Sequence, residues 1–173
     1  FCNTLKILLS LYFYFCYDLL MEIFLENIKD NRNFLLKDIQ IAHQNSFFKD
    51  GNMTKLVAVS KKQEDYKIDL ALKEGQKIFG ENRLQEAQKR WESRQKTYKD
   101  LELRLIGPLQ TNKVKQALNL FNIIETIDRE KLAKEIHSNF HNKIKTSSFY
   151  IQINTGNESQ KSGLDPLEAD SFI

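Results

Sequence analysis

The chain has 173 residues, of which 26 are Lys or Arg, 23 are Asp or Glu, and 41% are hydrophobic. With only six Gly, two Pro and two Cys, this composition indicates a globular domain and excludes a disordered, collagen-like or disulfide-built protein. The formal net charge of +3 comes from charges of both signs spread along the chain, which argues against a nucleic-acid partner.

The first 20 residues differ in composition from everything that follows Met21. They contain an apolar run over residues 7–16, preceded by Lys6. The run has the length of a signal-peptide core, but no small-residue cleavage site follows it and it is short for a bilayer span. We interpret residues 1–20 as a hydrophobic leader outside the native protein and residues 21–173 as the domain; an export or membrane segment is the alternative.

After the leader, the hydrophobic pattern predicts one long helix and then an alternation of strands and helices. Apolar residues at helical spacing predict an amphipathic helix from Met21 to about Ser46. A short β-branched run at residues 55–60 predicts a first strand, four further short runs predict strands after it, and the segments between them predict helices, one of which Gly75 ends. The strands are residues 55–60, 77–80, 101–106, 122–127 and 148–154, and the helices are residues 64–73, 82–98, 111–121 and 128–142.

Four residues have the types and positions that are typical of helix N-caps. They are Asn82, Thr111, Asp128 and Asp165, the last with Pro166 at the first helical position. The segment before residue 142 also places His137 and His141 at a spacing of four, which on a helix would let two imidazoles share a metal. No Cys lies near them, and we interpret both as surface residues rather than metal ligands.

Strands that alternate with helices predict parallel strands joined by right-handed crossovers. An open doubly wound sheet and a (β/α) barrel both satisfy this pattern, and the local sequence does not choose between them. In either fold, ligands bind where the strands end. Several unusual residues fall at those ends: Lys61, the run Gly80-Glu81-Asn82, the run Gly107-Pro108-Leu109-Gln110, and Asn154.

Lys61 is the first candidate for chemistry, because it continues the alternation of Val57 and Val59. A lysine on a covered face is desolvated, which favours the neutral amine that condenses with an aldehyde. The alternative is a solvated pair of lysines, Lys61 and Lys62, that closes the strand.

Two amides are the other candidates. Asn82 is either a helix N-cap or a ligand contact. Asn154 shares one face of the fifth strand with Tyr150 and Gln152, and this polar face fits a ligand site and a structural network equally well. Neither glycine-rich nucleotide motif, G-x-G-x-x-G or G-x-x-x-x-G-K-[ST], is present, so nucleotide binding by those routes is excluded.

Four blocks of the sequence, in this order, resemble the pyridoxal phosphate homeostasis proteins, the YggS/PROSC family. The blocks are residues 56–61 (LVAVSK), 79–83 (FGENR), 106–113 (IGPLQTNK), and 152–154 (QIN) with 161–163 (KSG). The resemblance implies a (β/α)8 TIM-type barrel akin to the N-terminal domain of alanine racemase, of which this chain holds a leading helix and about five β/α units.

The resemblance also implies a function. It predicts that pyridoxal 5'-phosphate (PLP) is held as a Schiff base on Lys61, with Asn82 beside the cofactor and Asn154 as a further contact. Family members regulate vitamin B6 pools in the cytoplasm and have no demonstrated enzyme activity, and cysteine use in this chain fits such a reducing compartment. We therefore expect a cytoplasmic PLP-binding protein that is a monomer when full length, with no nucleic-acid or membrane partner and no metal.

Two departures from the family keep alternatives open. Arg104 stands where the family has a histidine, and an arginine does not titrate near neutrality. The given sequence also ends before the later strands, whose G-M-S-x-D motif holds the phosphate in the family. We therefore expect an incomplete barrel with weak cofactor retention. An inactive truncated remnant is one alternative, and a PLP-dependent racemase-like enzyme is the other, although the chain has no room for a racemase's C-terminal β-domain.

Overall fold

The computed structural model describes residues 2–47, 51–141, 144–156, 158 and 160–172, and for residues 2–20 it describes the backbone alone. The chain divides into two compact units. The first comprises Phe1–Leu56 and Gln63–Gln76, and the second comprises Val57–Lys62 and Lys77–Ile173. Among the described residues, we find no helix whose length and hydropathy would let it cross a membrane.

The first unit holds helix α1, Cys2–Gln44, and helix α2, Asp65–Lys73. The prediction that the leading helix begins at Met21 is wrong: no Gly or Pro occurs between residues 2 and 44, so nothing ends the helix there. Arg32 of α1 donates to the carbonyl of Gly75, 3.1 Å away, just past the end of α2. Gly75 has a φ of 81°, the left-handed conformation predicted for the residue that ends this helix.

The second unit is built on five parallel strands in the order β1-β2-β3-β4-β5. In a doubly wound sheet the direction of winding reverses, so its strand order is not sequential, whereas the strands of a barrel follow one another in sequential order. The sequential order observed here therefore indicates the barrel-type fold. The strands are β1 Ala58–Val59, β2 Ile78–Glu81, β3 Glu102–Leu105, β4 Ile123–Ile127 and β5 Ser148–Ile151. The helices are α3 Leu84–Thr97, α4 Val114–Leu120, α5 Glu130–Asn139 and α6 Ala169–Phe172, with 3-10 turns at Thr111–Lys113 and Pro166–Glu168.

The two faces of the sheet differ in burial. The register aligns Val59 with Gly80, Arg104, Ile123 and Ser148 in one row across all five strands, and aligned residues of parallel strands share a face. We call the side of this row the open face, because Val59 is 47% exposed. In a closed barrel the open face is the side that would line the interior.

The opposite face is the core of the second unit. It carries the fully buried Phe79, Leu103 and Ile124. Trp91 of α3 packs on Phe79 with 4.7 Å between ring centroids, and this fully buried tryptophan anchors its helix to the core.

Three of the four predicted N-caps are wrong, and only Asp165 caps as predicted, accepting from the amide of Leu167 at 2.8 Å. Asn82 and Asp128 lie before the true cap positions, and Thr111 is the first residue of a 3-10 turn. In two of these cases the polar group contacts Arg129 instead: Asp128 pairs with this sequence neighbour, and the Thr111 hydroxyl accepts from it across 18 residues of sequence.

Three further boundaries differ from the prediction. Strand β5 ends at Ile151 instead of residue 154, so Gln152 and Asn154 follow the strand and do not lie in it. Strand β1 has two residues instead of six, because the described residues give it a ladder partner on one side alone, strand β2. Helix α5 ends at Asn139, so His137 and His141 do not share a helical face. The predicted end of this helix at residue 142 lies outside the described residues.

Candidate functional site

A cleft of about 700 Å³ opens at the carboxyl ends of β2, β3 and β4. Residues that directly follow these strands line it, among them Asn82, Gln110 and Arg129, and Ser162 joins them from the segment after β5. The cleft therefore lies where the sequence pattern predicted a ligand site, at the edge where parallel strands of a barrel end.

Lys61 lies beside this edge, in the turn that follows β1. Its side chain is exposed and forms no hydrogen bond or ion pair with any residue that the structure describes. The next residue, Lys62, has a φ of 59°, a left-handed backbone that turns the chain sharply away from the strand. Lys61 is thus not desolvated by the described part of the chain.

Asn82 occupies the equivalent position on the neighbouring strand. The register pairs Val59 with Gly80, so Lys61 and Asn82 each stand two residues further on, at the ends of strands about 5 Å apart. The Oδ1 atom of Asn82 is buried and has no hydrogen-bond partner among the described residues. Buried amide oxygens are normally paired, so this atom is a ready acceptor for a ligand.

Gly107 holds Asn82 in place through close contact between two stretches of backbone. A Cβ atom added to Gly107 would lie 2.3 Å from the carbonyl oxygen of Asn82, a distance that no side chain could occupy. The Gly107 carbonyl accepts a hydrogen bond of 2.7 Å from the hydroxyl of Thr126 in β4. The glycine is therefore required by this approach, which joins the ends of β2, β3 and β4.

Asn154 organises the loop that follows β5. Its side-chain Nδ2 donates to the carbonyl of Glu158 at 2.9 Å, and its Oδ1 accepts from the Glu158 amide at 3.3 Å. Its backbone amide donates to Leu164, and the neighbouring Gln152 donates to the carbonyl of Ser162 at 2.8 Å. These polar side chains form the structural network that the sequence left open, and the role of Asn154 towards a cofactor stays a prediction.

Arg104 lies on the open face between two carboxylates that sequence reasoning did not connect to it. Its Nε and Nη1 donate to Glu102 and Glu125 at 2.7 and 2.9 Å. Burial lowers the pKa of the guanidinium, but the hydrogen bonds to Glu125 and Glu102 outweigh this effect and raise the pKa above its usual value. The sequence could have predicted the contact with Glu102, because Glu102 and Arg104 alternate along β3 and share a face. It could not have predicted the contact with Glu125, which lies on strand β4.

Glu81 lies in the run that the sequence singled out at this edge, but sequence reasoning gave it no role of its own. It ends the buried strand β2, it is 0% exposed, and one of its oxygens, Oε1, lies within hydrogen-bond distance of three donors. These come from Ser60, Arg90 and Trp91. A charged residue inside an otherwise apolar buried strand was the signal that could have identified it.

Fold and cleft together define an α/β barrel-type protein with a candidate ligand site at the carboxyl ends of its strands. The profile of the family described as "Alanine racemase, N-terminal domain" matches residues 40–173, and the chain belongs to this family. Among curated proteins, the chain is 34% identical over 142 residues to the "Pyridoxal phosphate homeostasis protein" of Haemophilus influenzae, covering 82% of this chain and 60% of that protein. The protein of the same name from Aquifex aeolicus is 39% identical over 116 residues, covering 66% and 50%.

Solved structures of PipY are also similar to this chain. PipY of Synechococcus elongatus without PLP matches with a TM-score of 0.60 and 31% identity over 69% of this chain and 57% of PipY. PipY with PLP bound matches with a TM-score of 0.57 and 28% identity over 68% and 54%. The chain thus spans 50–60% of the length of these relatives, which are PLP homeostasis proteins or, for PipY, a protein that binds PLP. These matches confirm the resemblance and the barrel-type fold predicted from the sequence.

Proposed function

We propose that this chain binds PLP in the cytoplasm through a Schiff base on Lys61 and serves vitamin B6 homeostasis without catalysing a reaction of its own. The observation that carries the proposal is the position of Lys61, an exposed amine without a partner in the described structure, at the strand ends beside the cleft. Binding of PLP by PipY and the names of the curated relatives support the choice of ligand.

The residues around the cleft fit the chemistry of PLP. Asn82 offers a buried, unpartnered oxygen that can accept a hydrogen bond from the cofactor. Arg83, Lys113 and Arg129 line the cleft against a single acidic residue, Asp128, and this surplus of positive charge attracts a phosphate group. Asn154 would contribute by holding the loop from which Ser162 reaches the cleft.

Lys61 would supply the covalent bond. When bound, PLP would supply an aldehyde with which the amine of Lys61 would condense to a Schiff base, with loss of water. A residue that only retains the cofactor needs no further acid or base, which agrees with a carrier rather than an enzyme.

The test is to add PLP to the chain, dialyse, record the visible absorption spectrum, and reduce with borohydride so that the labelled lysine can be identified by mass spectrometry. Lys61→Arg keeps the charge but cannot form the Schiff base, and Lys62→Arg is the matched control one residue away. We expect a band that dialysis weakens but does not abolish and a label on Lys61 in the parent chain and in Lys62→Arg, and neither in Lys61→Arg.

Other results would overturn the proposal. Label scattered over many lysines, or a band that survives in Lys61→Arg, would refute the specific role of Lys61. The absence of any retained band would favour the inactive-remnant alternative. PLP-dependent racemisation of alanine by the chain would favour the racemase alternative.

A further inference from the structure

Strand β1 has little backbone support at the end from which Lys61 departs. Its ladder with β2 covers two residues, and the last backbone bond runs from the amide of Ser60 to the carbonyl of Gly80 at 3.0 Å. Beyond Ser60 the chain turns, and Lys61 has no partner among the described residues. The position of the Lys61 amine therefore depends on how firmly Ser60 is held.

Ser60 is held by a pair of charged residues on the opposite side of the sheet from the open face. Its hydroxyl donates to Oε1 of Glu81 at 2.8 Å, and its carbonyl accepts from Nη1 of Arg90 at 2.8 Å. The same Nη1 of Arg90 forms an ion pair with Oε1 of Glu81 at 3.1 Å. Glu81 of β2 thus bonds to the side chain of Ser60, and Arg90 of α3 bonds to its backbone.

This arrangement is more than is needed to pack α3 on the sheet. Phe79 and Trp91 already join the two elements through a ring contact in the core. Glu81 is fully buried, and its second oxygen, Oε2, has no partner among the described residues. An unpartnered buried carboxyl oxygen is unfavourable, so a packing role would be served better by an apolar side chain.

We propose that Glu81, together with Arg90, is a positioning residue that fixes Ser60 and thereby directs Lys61 from the end of β1 towards the cleft. Neither residue contacts the cleft through the bonds described; each acts on Lys61 through Ser60. The inference rests on the proposed function of Lys61. It adds that the contacts of Glu81 and Arg90 with Ser60 fix the position of the Lys61 amine on an exposed turn.

The experiment compares three variants with the parent chain. Glu81→Gln removes the ion pair, Arg90→Met removes the bond to the Ser60 carbonyl while leaving the carboxyl group, and Trp91→Phe is the matched control. Trp91 donates to the same oxygen of Glu81 at 3.0 Å but does not contact Ser60 through any described hydrogen bond. For each chain we would measure the dissociation constant of PLP, the fraction of Lys61 trapped by borohydride, and amide hydrogen exchange over residues 57–63, with circular dichroism as the check of folding.

We expect Glu81→Gln and Arg90→Met to raise the dissociation constant at least about tenfold and to speed hydrogen exchange over residues 57–63. Trp91→Phe should lower the melting temperature yet keep the dissociation constant within about twofold of the parent. Should one of these two variants fail to fold, the other decides alone, because each removes one of the contacts that hold Ser60.

Two results would overturn the positioning role by itself: parent-like trapping of Lys61 in folded Arg90→Met, or an equal loss of PLP in Trp91→Phe. A parent chain that forms no trapped adduct at Lys61 would refute the proposed function, and the positioning role with it. The two failures are therefore distinguishable from the parent chain alone.

Discussion

Replacing Gly107 by alanine tests whether the backbone contact at the cleft is essential. The new Cβ would lie 2.3 Å from the carbonyl oxygen and 2.6 Å from the Cα of Asn82. Carbon atoms in favourable contact are about 3.5–4.0 Å apart, so one of the two segments must move by about 1 Å. Neither moves easily, because the Gly107 carbonyl is bonded to Thr126 and Asn82 follows directly on strand β2.

The structure sets the size of the effect. Overpacking in a well-packed core lowers the free energy of unfolding by typically 1–3 kcal/mol, and backbone atoms on the opposing side place this case near about 3 kcal/mol. For a chain of this length, that loss lowers the melting temperature by about 6–12 °C. If Asn82 contacts PLP as proposed, its displacement should also weaken PLP binding.

The assay is thermal unfolding followed by circular dichroism, together with PLP titration. Gly156→Ala is the matched control, since the nearest atom to its added Cβ is Oε1 of the flexible Glu158 side chain, 3.2 Å away. We expect this control to change stability by less than about 0.5 kcal/mol. A Gly107→Ala chain that melts and binds PLP like the control would refute the claim that the close approach holds Asn82.

Three further substitutions test other features of the structure. Lys62→Gly should raise the free energy of unfolding by about 0.5–1 kcal/mol in urea titration, because glycine adopts the φ of 59° without strain; a loss of stability would contradict this. Arg104→Met should lower the free energy of unfolding by about 1–3 kcal/mol, because Glu102 and Glu125 would lose the cation they share. An unchanged midpoint in urea titration would argue against a stabilising role of these two ion pairs. Burial lowers the pKa of Lys145 from its usual value of 10.5. Between the lowered pKa and pH 10.5 the unfolded chain binds more protons than the folded chain, so the contribution of this lysine to the free energy of unfolding rises with pH over that window. Lys145→Met should therefore be more stable than the parent at pH 7 in urea titration, and the difference should disappear towards pH 10.5; a pH-independent difference would refute this reasoning.

The sequence by itself determined roughly where the five strands lie, although not all of their ends. Each strand falls within a short hydrophobic or alternating run between helical segments, and these signals are local. The four sequence blocks also predicted the family and placed Lys61 and Asn82 at strand ends. Periodicity and motif spacing suffice for these features because each depends on a few consecutive residues.

Only the tertiary structure decided how these pieces are arranged. The sequential strand order, which distinguishes a barrel from a doubly wound sheet, depends on pairing between segments about 20 residues apart. The same is true of the bonds that Glu81 forms with Ser60 and of the ion pair between Arg104 and Glu125. Thr111 is a suitable cap by its residue type, yet its hydroxyl accepts from Arg129, 18 residues away, and does not cap a helix. Local propensity describes what a residue can do, and the energetics of long-range contacts select which of those possibilities is realised.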